Sequence, residues 1–392
     1  MAGPLRGYRI LDLTALISGP YGTQLLGDQG ADIVKVEPVG SGDLFRHGGV
    51  SSAGMSSHFA ANNRSKRSLA LDLTDARGKA LLERLIPSAD VFVQNFRPEA
   101  IERMGFGESQ VRALRPDIIY VSIFGFGETG PLAGKRVYDA LIQALAGIMR
   151  VQGIGREPMS MNTMLPDKLT AMTWAQAATA ALLERERSGK GQHVRISMLD
   201  AAIAWMWPDS MLDDIWITDE LSDARASERN MCFKTADDYI ATCILSDSEY
   251  EGFCRAAERP DLLEHPEFSQ MAGRALTPNF FALLREVLAQ RPTRYWLEAF
   301  AKHDVPVAPL LTPFEVVSHP QVVANELVYE RQHPHAARIR EVRPAARFDR
   351  TRLERGRPVP LLGEHSREIL AEVGVDAAAF EALVADKVVQ GV

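Results

Sequence analysis

The chain reads as an α/β protein built on a mostly parallel sheet, with a smaller α+β domain following it. Three observations predict this. Residues 8–13 and Asp32–Glu37 are strand-like runs separated by a helical stretch at Pro20–Asp28, which makes a compact β-α-β opening. Short apolar runs at 90–94, 117–123 and His193–Ser197 have the uninterrupted character of strands covered on both faces. Helical stretches at 74–86 and 109–114 stand between them as parallel crossovers require.

Further along, residues 167–187 carry Leu169, Met172, Ala175, Thr179, Leu182 and Leu183 at helical spacing, and Gly189-Lys190-Gly191 supplies the stop. A second helix is predicted over 198–211. Periodicity is lost in the acidic stretch 213–223, and a new alternating segment begins near Cys232. The predicted organisation is therefore a large domain over 1–212, a linker over 213–227 and a small domain over 228–318. The small domain has strands at 239–245 and 305–311 around helices at 247–257 and 278–290. Residues 319–332 form a return linker. The Arg/Pro-rich stretch 332–360 reads as extended, whereas 366–373 and 377–384 read as helical.

Composition narrows the function. With 392 residues, 46% of them hydrophobic, the chain can bury two cores. A net charge of -7 argues against general binding to nucleic acid or to an anionic membrane surface. Cys232, Cys243 and Cys254 are too widely spaced for a Cys-x-x-Cys site, which argues against structural zinc and disulfides and suits the cytoplasm. Arg6, Tyr8 and Arg9 break the first apolar stretch, and no apolar run of about 20 residues follows, so no membrane span is expected. His47, His58, His193, His265 and His303 show no metal-ligand spacing, and no Gly-x-Ser-x-Gly elbow occurs. No metal site is predicted.

Four segments carry candidate chemistry. Gly125-Phe126-Gly127-Glu128-Thr129-Gly130 has dinucleotide-loop spacing, but Pro131-Leu132-Ala133-Gly134-Lys135 delays any helix until about Tyr138. The pyrophosphate would then lack its helix N-terminus, so this reads as a substrate-site or structural loop. Asp167 stands at the head of a helix, where it is either an N-cap or a nucleophilic carboxylate able to form a mixed anhydride. Asn62-Asn63-Arg64-Ser65-Lys66-Arg67 and Gln94-Asn95-Phe96-Arg97-Pro98, with Arg103, place cations and amides near strand ends. They are either solvated charge runs or groups that receive a phosphorylated adenine nucleotide.

Taken together, several segments resemble the class III coenzyme A transferases, the CaiB/BaiF family that includes formyl-CoA:oxalate transferase. The resemblance spans nearly the whole chain. It rests on Leu11-Asp12-Leu13, Gly19-Pro20, Gly30-Ala31-Asp32-Ile33-Val34-Lys35-Val36-Glu37 and Asn63-Arg64-Ser65-Lys66-Arg67-Ser68. It continues through Asn95-Phe96-Arg97-Pro98, the Gly125 loop, Tyr138-Asp139, the Asp167 helix, Gly189-Lys190-Gly191-Gln192 and Pro360-Leu361-Leu362-Gly363-Glu364-His365. The resemblance implies a Rossmann-like large domain assembled from 1–212 and 333–392, and an interlocked, ring-like homodimer.

It also implies that Asp167 is catalytic and that coenzyme A enters as substrate rather than as a resident cofactor, with an acyl-CoA and a small carboxylic acid as partners. Positions matching the family's CoA site are Ile17 and Ser18 by backbone, Leu71, Thr74, Asn95, Phe96, Arg97, Arg103, Arg136, Tyr138 and Asp139. Arg97, Arg103 and Arg136 would meet phosphates, and Phe96 the nucleotide. Residues 125–130 are a candidate oxyanion loop, and Arg46, His47, Met159 and Arg229 are candidates for the acyl groups. A small dicarboxyl-CoA such as succinyl-CoA is the expected donor. The alternatives are an α-methylacyl-CoA racemase and a noncatalytic CoA binder; Tyr138 stands where the racemase branch has a histidine. Ile17, Pro38 and Pro166 depart from the usual glutamine, arginine and glycine, and 224–233 lacks a glycine run.

Overall fold

The computed structural model describes residues 3–154, 156–212, 215–217, 230–274 and 277–392. The linker expected over 213–227, apart from 215–217, and Arg229 lie outside the described residues. Two compact units result. One comprises Met1–Gln152, Met159–Asp209 and Leu327–Val392, the other Gly153–Pro158 and Ser210–Glu326.

The first unit begins with β1 (Arg9–Asp12), α1 (Pro20–Asp28), β2 (Asp32–Glu37), β3 (Lys66–Leu71) and α2 (Ala76–Leu85). The chain then lays down β4 (Val91–Gln94), α3 (Pro98–Met104), α4 (Glu108–Leu114), β5 (Ile119–Phe124), α5 (Asp139–Leu145), α6 (Leu165–Ser188), β6 (His193–Ser197) and α7 (Met198–Ser210). The second unit carries β7 (Cys232–Lys234), β8 (Tyr239–Thr242), α8 (Asp247–Ala256), α9 (Pro278–Leu288), α10 (Thr293–Lys302) and β9 (Val307–Pro309). Its three strands form an antiparallel sheet, and Phe233, Ile240, Phe253, Leu284, Trp296 and Phe300 pack its core. The first unit resumes with a two-stranded ladder of β10 (Val328–Arg331) and β11 (Ile339–Val342), then α11 (Ser366–Ala371), α12 (Ala377–Ala385) and β12 (Val389–Gln390).

Seven strands make the central sheet in the order β12-β3-β2-β1-β4-β5-β6. Six are parallel, as expected, and β12 closes one edge antiparallel to β3. Side chains alternate between two cores. Leu11, Val34, Phe92 and Tyr120 face one, and Ile10, Ile33, Val91, Val93, Ile119 and Val121 the other. Burial on both faces explains why these strands read as continuous apolar runs.

Three expectations change. The segment expected to be solvated or phosphate-binding cations at 62–67 runs into β3, and its charges are consumed by internal pairs. Lys66 is fully buried with its Nζ 3.1 Å from Asp12, Arg67 pairs with Asp32, Glu368 and Glu372, and Arg64 pairs with Asp28. The apolar stripe of α6 is Ala171, Trp174, Ala175, Ala178, Ala181 and Leu182, whereas Met172 and Leu183 are exposed. Helix α10 replaces what sequence patterning left undefined between 290 and 305.

Candidate active site

From β1 the sheet grows one way through β2 and β3 and the other way through β4, β5 and β6. Loops leaving the carboxyl ends of β1 and β4 therefore diverge, which opens a crevice at the switch point of a parallel sheet. A cleft of about 280 Å³ lies there. Its walls are Leu16 after β1, Asn95, Phe96, Arg97 and Pro98 after β4, and residues 123–127, Leu132 and 134–138 at and beyond the end of β5. Gly125 lets the last of these loops fold back, since a Cβ there would lie 2.3 Å from Val137. The next helix starts only at Asp139, so the glycine segment has no helix N-terminus of the dinucleotide kind, as expected.

Arg97, Lys135 and Arg136 line this cleft with exposed side chains and no ion-pair partner among the described residues. Unpaired cations beside the half-exposed rings of Phe96 and Tyr138 suit a phosphorylated, ring-bearing ligand. Lys135 was not singled out from sequence, although its place before Arg136 is a local signal. Asn95 acts differently. Its carboxamide exchanges two hydrogen bonds with the Ala15 backbone, at 3.0 and 2.9 Å, and bolts the β1 and β4 loops together. The Phe96 N–H donates to Gln94, which donates in turn to Ser122, so buried polar groups hold this turn from beneath. Leu71, Thr74 and Arg103 are not in the cleft wall. Leu71 is buried at the end of β3, the Thr74 hydroxyl is held by Asp72 at 2.7 Å, and Arg103 is exposed in the last turn of α3.

Asp167 is the third residue of α6, and the N-cap is Met164, which offers no side-chain bond. Its reading as an N-cap is thereby overturned. Pro166, in the first turn, has no N–H to leave unsatisfied, so proline fits where the family usually has glycine. The Asp167 N–H donates outward to Asp139 Oδ2 at 3.1 Å. Gln143 Nε2 donates to Asp139 Oδ1 at 2.6 Å, while Gln143 Oε1 accepts from the Met161 N–H at 2.9 Å. This buried amide ties α5 to the segment entering α6. The half-buried Asp167 carboxylate is pushed up to about 7, first by burial and then by the neighbouring Asp139 charge. The polar groups of Ser18 work the other way, favouring the ionised form. Gly125 and Gly127 belong to the cleft wall.

Ser18 is held by a strained turn. Leu16 adopts φ 71°, a left-handed conformation that costs a non-glycine residue about 1–2 kcal/mol. Its N–H points at Asp43, whose carboxylate pairs with the buried Lys35 ammonium at 3.0 Å. Lys35 also donates to the Thr14 carbonyl at 2.8 Å. From the far side the Trp174 indole donates to the Ser18 carbonyl at 2.7 Å. Gly22 leaves room for that ring, since a Cβ there would lie 2.3 Å from it.

Arg46 does not serve the acyl group. Its guanidinium is buried, doubly bound to Glu37 at 2.8 Å and stacked over Phe59. His47 is exposed and bonded to the Ser41 carbonyl, Met159 is exposed, and Pro38 is exposed beyond β2. No group of three or more His, Cys, Asp or Glu among the described residues could hold a metal ion, and no described helix is long and apolar enough to cross a membrane.

Comparison with known proteins shows the family. Residues 5–366 match the profile of CoA-transferase family III. Succinyl-CoA:glutarate CoA-transferase of Mus musculus is 32% identical over 99% of this chain and 90% of its own length. Formyl-CoA:oxalate CoA-transferase of Escherichia coli O157:H7 is 30% identical over 95% of this chain and 96% of its own. A CaiB/BaiF family protein from Brucella suis superposes with a TM-score of 0.82 at 29% identity, covering 95% of this chain and all of that one.

Proposed function

This chain belongs to CoA-transferase family III and is a CoA-transferase; from that premise we propose that it exchanges coenzyme A between a small dicarboxyl-CoA and a carboxylic acid through Asp167. The observation that carries the reading is the Asp167 carboxylate, half-buried between Ser18 and Asp139. Asp139 directly follows Tyr138 and Ser18 comes two residues after Leu16, and both Tyr138 and Leu16 stand in the wall of the cation-lined cleft. Arg97, Lys135 and Arg136 would take the phosphates of CoA and Phe96 its nucleotide ring.

In the proposed reaction an Asp167 oxygen attacks the thioester carbonyl; the new C–O bond replaces the C–S bond, giving a mixed anhydride and CoA thiolate. The thiolate then attacks the Asp167 carboxyl carbon, releasing the donor carboxylate and leaving an aspartyl-CoA thioester. The acceptor acid and the same thiolate repeat the two steps in reverse order. A nucleophile near pH 7 is substantially ionised at neutral pH yet poorly solvated, which favours attack. Succinyl-CoA is the first donor to try, because the mouse relative carries succinyl-CoA and glutarate in its name.

We assign the working form as a homodimer in the cytoplasm. Trp205, Trp207, Leu141, Leu145 and Met172 leave large apolar groups exposed on the first unit, which a second copy would cover. The three cysteines are free thiols, which suits a reducing compartment. Light scattering tests the dimer. Mass spectrometry of the protein incubated with acyl-CoAs and carboxylic acids tests the activity: new CoA thioesters that disappear with Asp167→Ala are expected, and full transfer by that variant would overturn the assignment of Asp167.

A further inference from the structure

We propose that Gln143 is a positioning residue for CoA transfer: its carboxamide fixes the Asp139 carboxylate, which in turn fixes the backbone of Asp167. The role rests on the reading of Asp167 as the nucleophile. It gives a side chain outside the cleft wall a share in the chemical step.

Asp139 opens α5 and Gln143 stands four residues later, so the two side chains share one helical face. Gln143 Nε2 donates to Asp139 Oδ1 at 2.6 Å, and Asp139 Oδ2 accepts the Asp167 N–H at 3.1 Å. One carboxylate therefore joins α5 to α6, with one oxygen for each helix. The amide end of Gln143 cannot turn over. Its Oε1 accepts the Met161 N–H at 2.9 Å, and its Nε2 also donates to the Thr163 carbonyl at 3.2 Å. Turned over, Nε2 would meet a donor, and Oε1 would meet both the Thr163 carbonyl and the Asp139 carboxylate. Two backbone groups thus dictate that an N–H faces Asp139. Gln143 is 2% exposed, so bulk water does not compete for these groups.

Asp167 is the third residue of α6, where its N–H has no intrahelical acceptor and Met164 offers no cap. Without Gln143 the Asp139 carboxylate is free to rotate, and the first turn of α6 loses the acceptor that orients it. A nucleophile displaced by a fraction of an ångström loses rate rather than substrate affinity. Arg97, Lys135 and Arg136 line a cleft that Gln143 does not enter, so the grip on the acyl-CoA should not change.

The test compares wild type with two variants. Gln143→Met keeps the length and bulk of the side chain but not its N–H donors. Gln143→Glu keeps an acceptor for the Met161 N–H and sets a second carboxyl group against Asp139; with both ionised the pair repels, and with one proton shared it re-forms the bond. Hydrogen exchange of residues 161–170, followed by mass spectrometry, needs no turnover. Steady-state transfer with succinyl-CoA and an acid panel is measured from pH 6 to pH 8, and dividing by wild type at each pH removes the titration of Asp167 itself. Gln143→Met is expected to speed exchange in that segment and to lower kcat on the order of 10-fold, with KM for the acyl-CoA unchanged. Gln143→Glu should be as slow at pH 8 and regain about threefold or more against wild type by pH 6. That comparison is made within one protein, so it stands even where Gln143→Met fails to fold. An unchanged kcat in Gln143→Met, a loss confined to KM, or a Gln143→Glu ratio that is flat with pH overturns the positioning role, while wild-type transfer upholds the CoA-transferase reaction. Absence of transfer by wild type with every pair overturns the substrate reading and the positioning role with it, while exchange still reports the bridge.

Discussion

The Asp139 carboxylate accepts the backbone N–H of Asp167 at 3.1 Å, so the group that completes the first turn of α6 also sets a second negative charge beside the proposed nucleophile. Met164 cannot cap the helix and Pro166 has no N–H, which leaves Asp167 as the donor to be satisfied from outside. Gln143 keeps Asp139 turned toward it. Helix capping and tuning of the nucleophile are therefore one arrangement.

Asp139→Asn should separate them. The amide oxygen can still accept the Asp167 N–H, but the charge is gone. Burial, the larger cause of the raised Asp167 value, remains. The acid limb of kcat/KM should move to lower pH without reaching that of an ordinary carboxylate. Relative to pH 8, activity at pH 6 should rise roughly threefold, as a midpoint lowered by about half a pH unit requires. A pH-rate profile that overlays wild type would sink this account.

Asp167→Asn should lose roughly 10⁴-fold or more in turnover and gain stability above pH 7. The folded value of about 7 lies above the unfolded value near 3.9, so the folded state holds a proton that the unfolded state releases. Stability from this group is thus present at pH 4, is lost as pH rises toward 7, and stays lost above it. Removing the charge should recover on the order of 1–2 kcal/mol at pH 8, discounted for partial exposure. Melting curves at pH 5 and pH 8 check this; a variant less stable than wild type at pH 8 would contradict it.

Sequence reading found the sheet where apolar character was continuous and missed it where charge interrupted. Pro20–Asp28, Asp32–Glu37 and His193–Ser197 were legible to the residue. Strand β3 was not, because Lys66 and Arg67 look solvated until Asp12 and Asp32, far away in sequence, supply their partners. Motif order singles out Asp167 and the Arg97 and Arg136 loops, and the structure sets Arg97 and Arg136 in the wall of one cleft. Illegible were the offset that makes Asp167 the third helical residue and the part of Gln143, which holds Asp139. Each depends on which turn of α6 meets which loop, and no local pattern encodes that.

The cleft cations should govern binding more than chemistry. Arg97→Ala and Arg136→Ala are each expected to raise KM for the acyl-CoA about tenfold with kcat nearly unchanged, the effect of losing a partly screened charged hydrogen bond. Lys135→Ala should do the same, because Lys135 lines the same wall. Raising salt should shrink all three effects. Steady-state kinetics with acyl-CoA varied at two ionic strengths decide the matter, and a fall confined to kcat would remove these residues from phosphate binding.

Beneath the site, Asp12 and Lys66 form a pair with both side chains fully buried. Asp12 also accepts from the Thr14 and Thr23 hydroxyls, and Lys66 donates to the Pro20 carbonyl at 2.9 Å, so the pair anchors both ends of the turn that carries Ser18. Burial pulls Lys66 down to about 8 even with Asp12 beside it, while Asp12 stays well below the usual carboxylate range. Lys66→Met would strand the Asp12 charge and should cost about 3–5 kcal/mol. Adding Asp12→Asn should return much of that, because the uncompensated charge is the main penalty. Denaturant unfolding of both single variants and the double variant measures the coupling. Strictly additive losses would mean that Asp12 and Lys66 contribute independently and that the turn is held by its hydroxyl and backbone contacts alone.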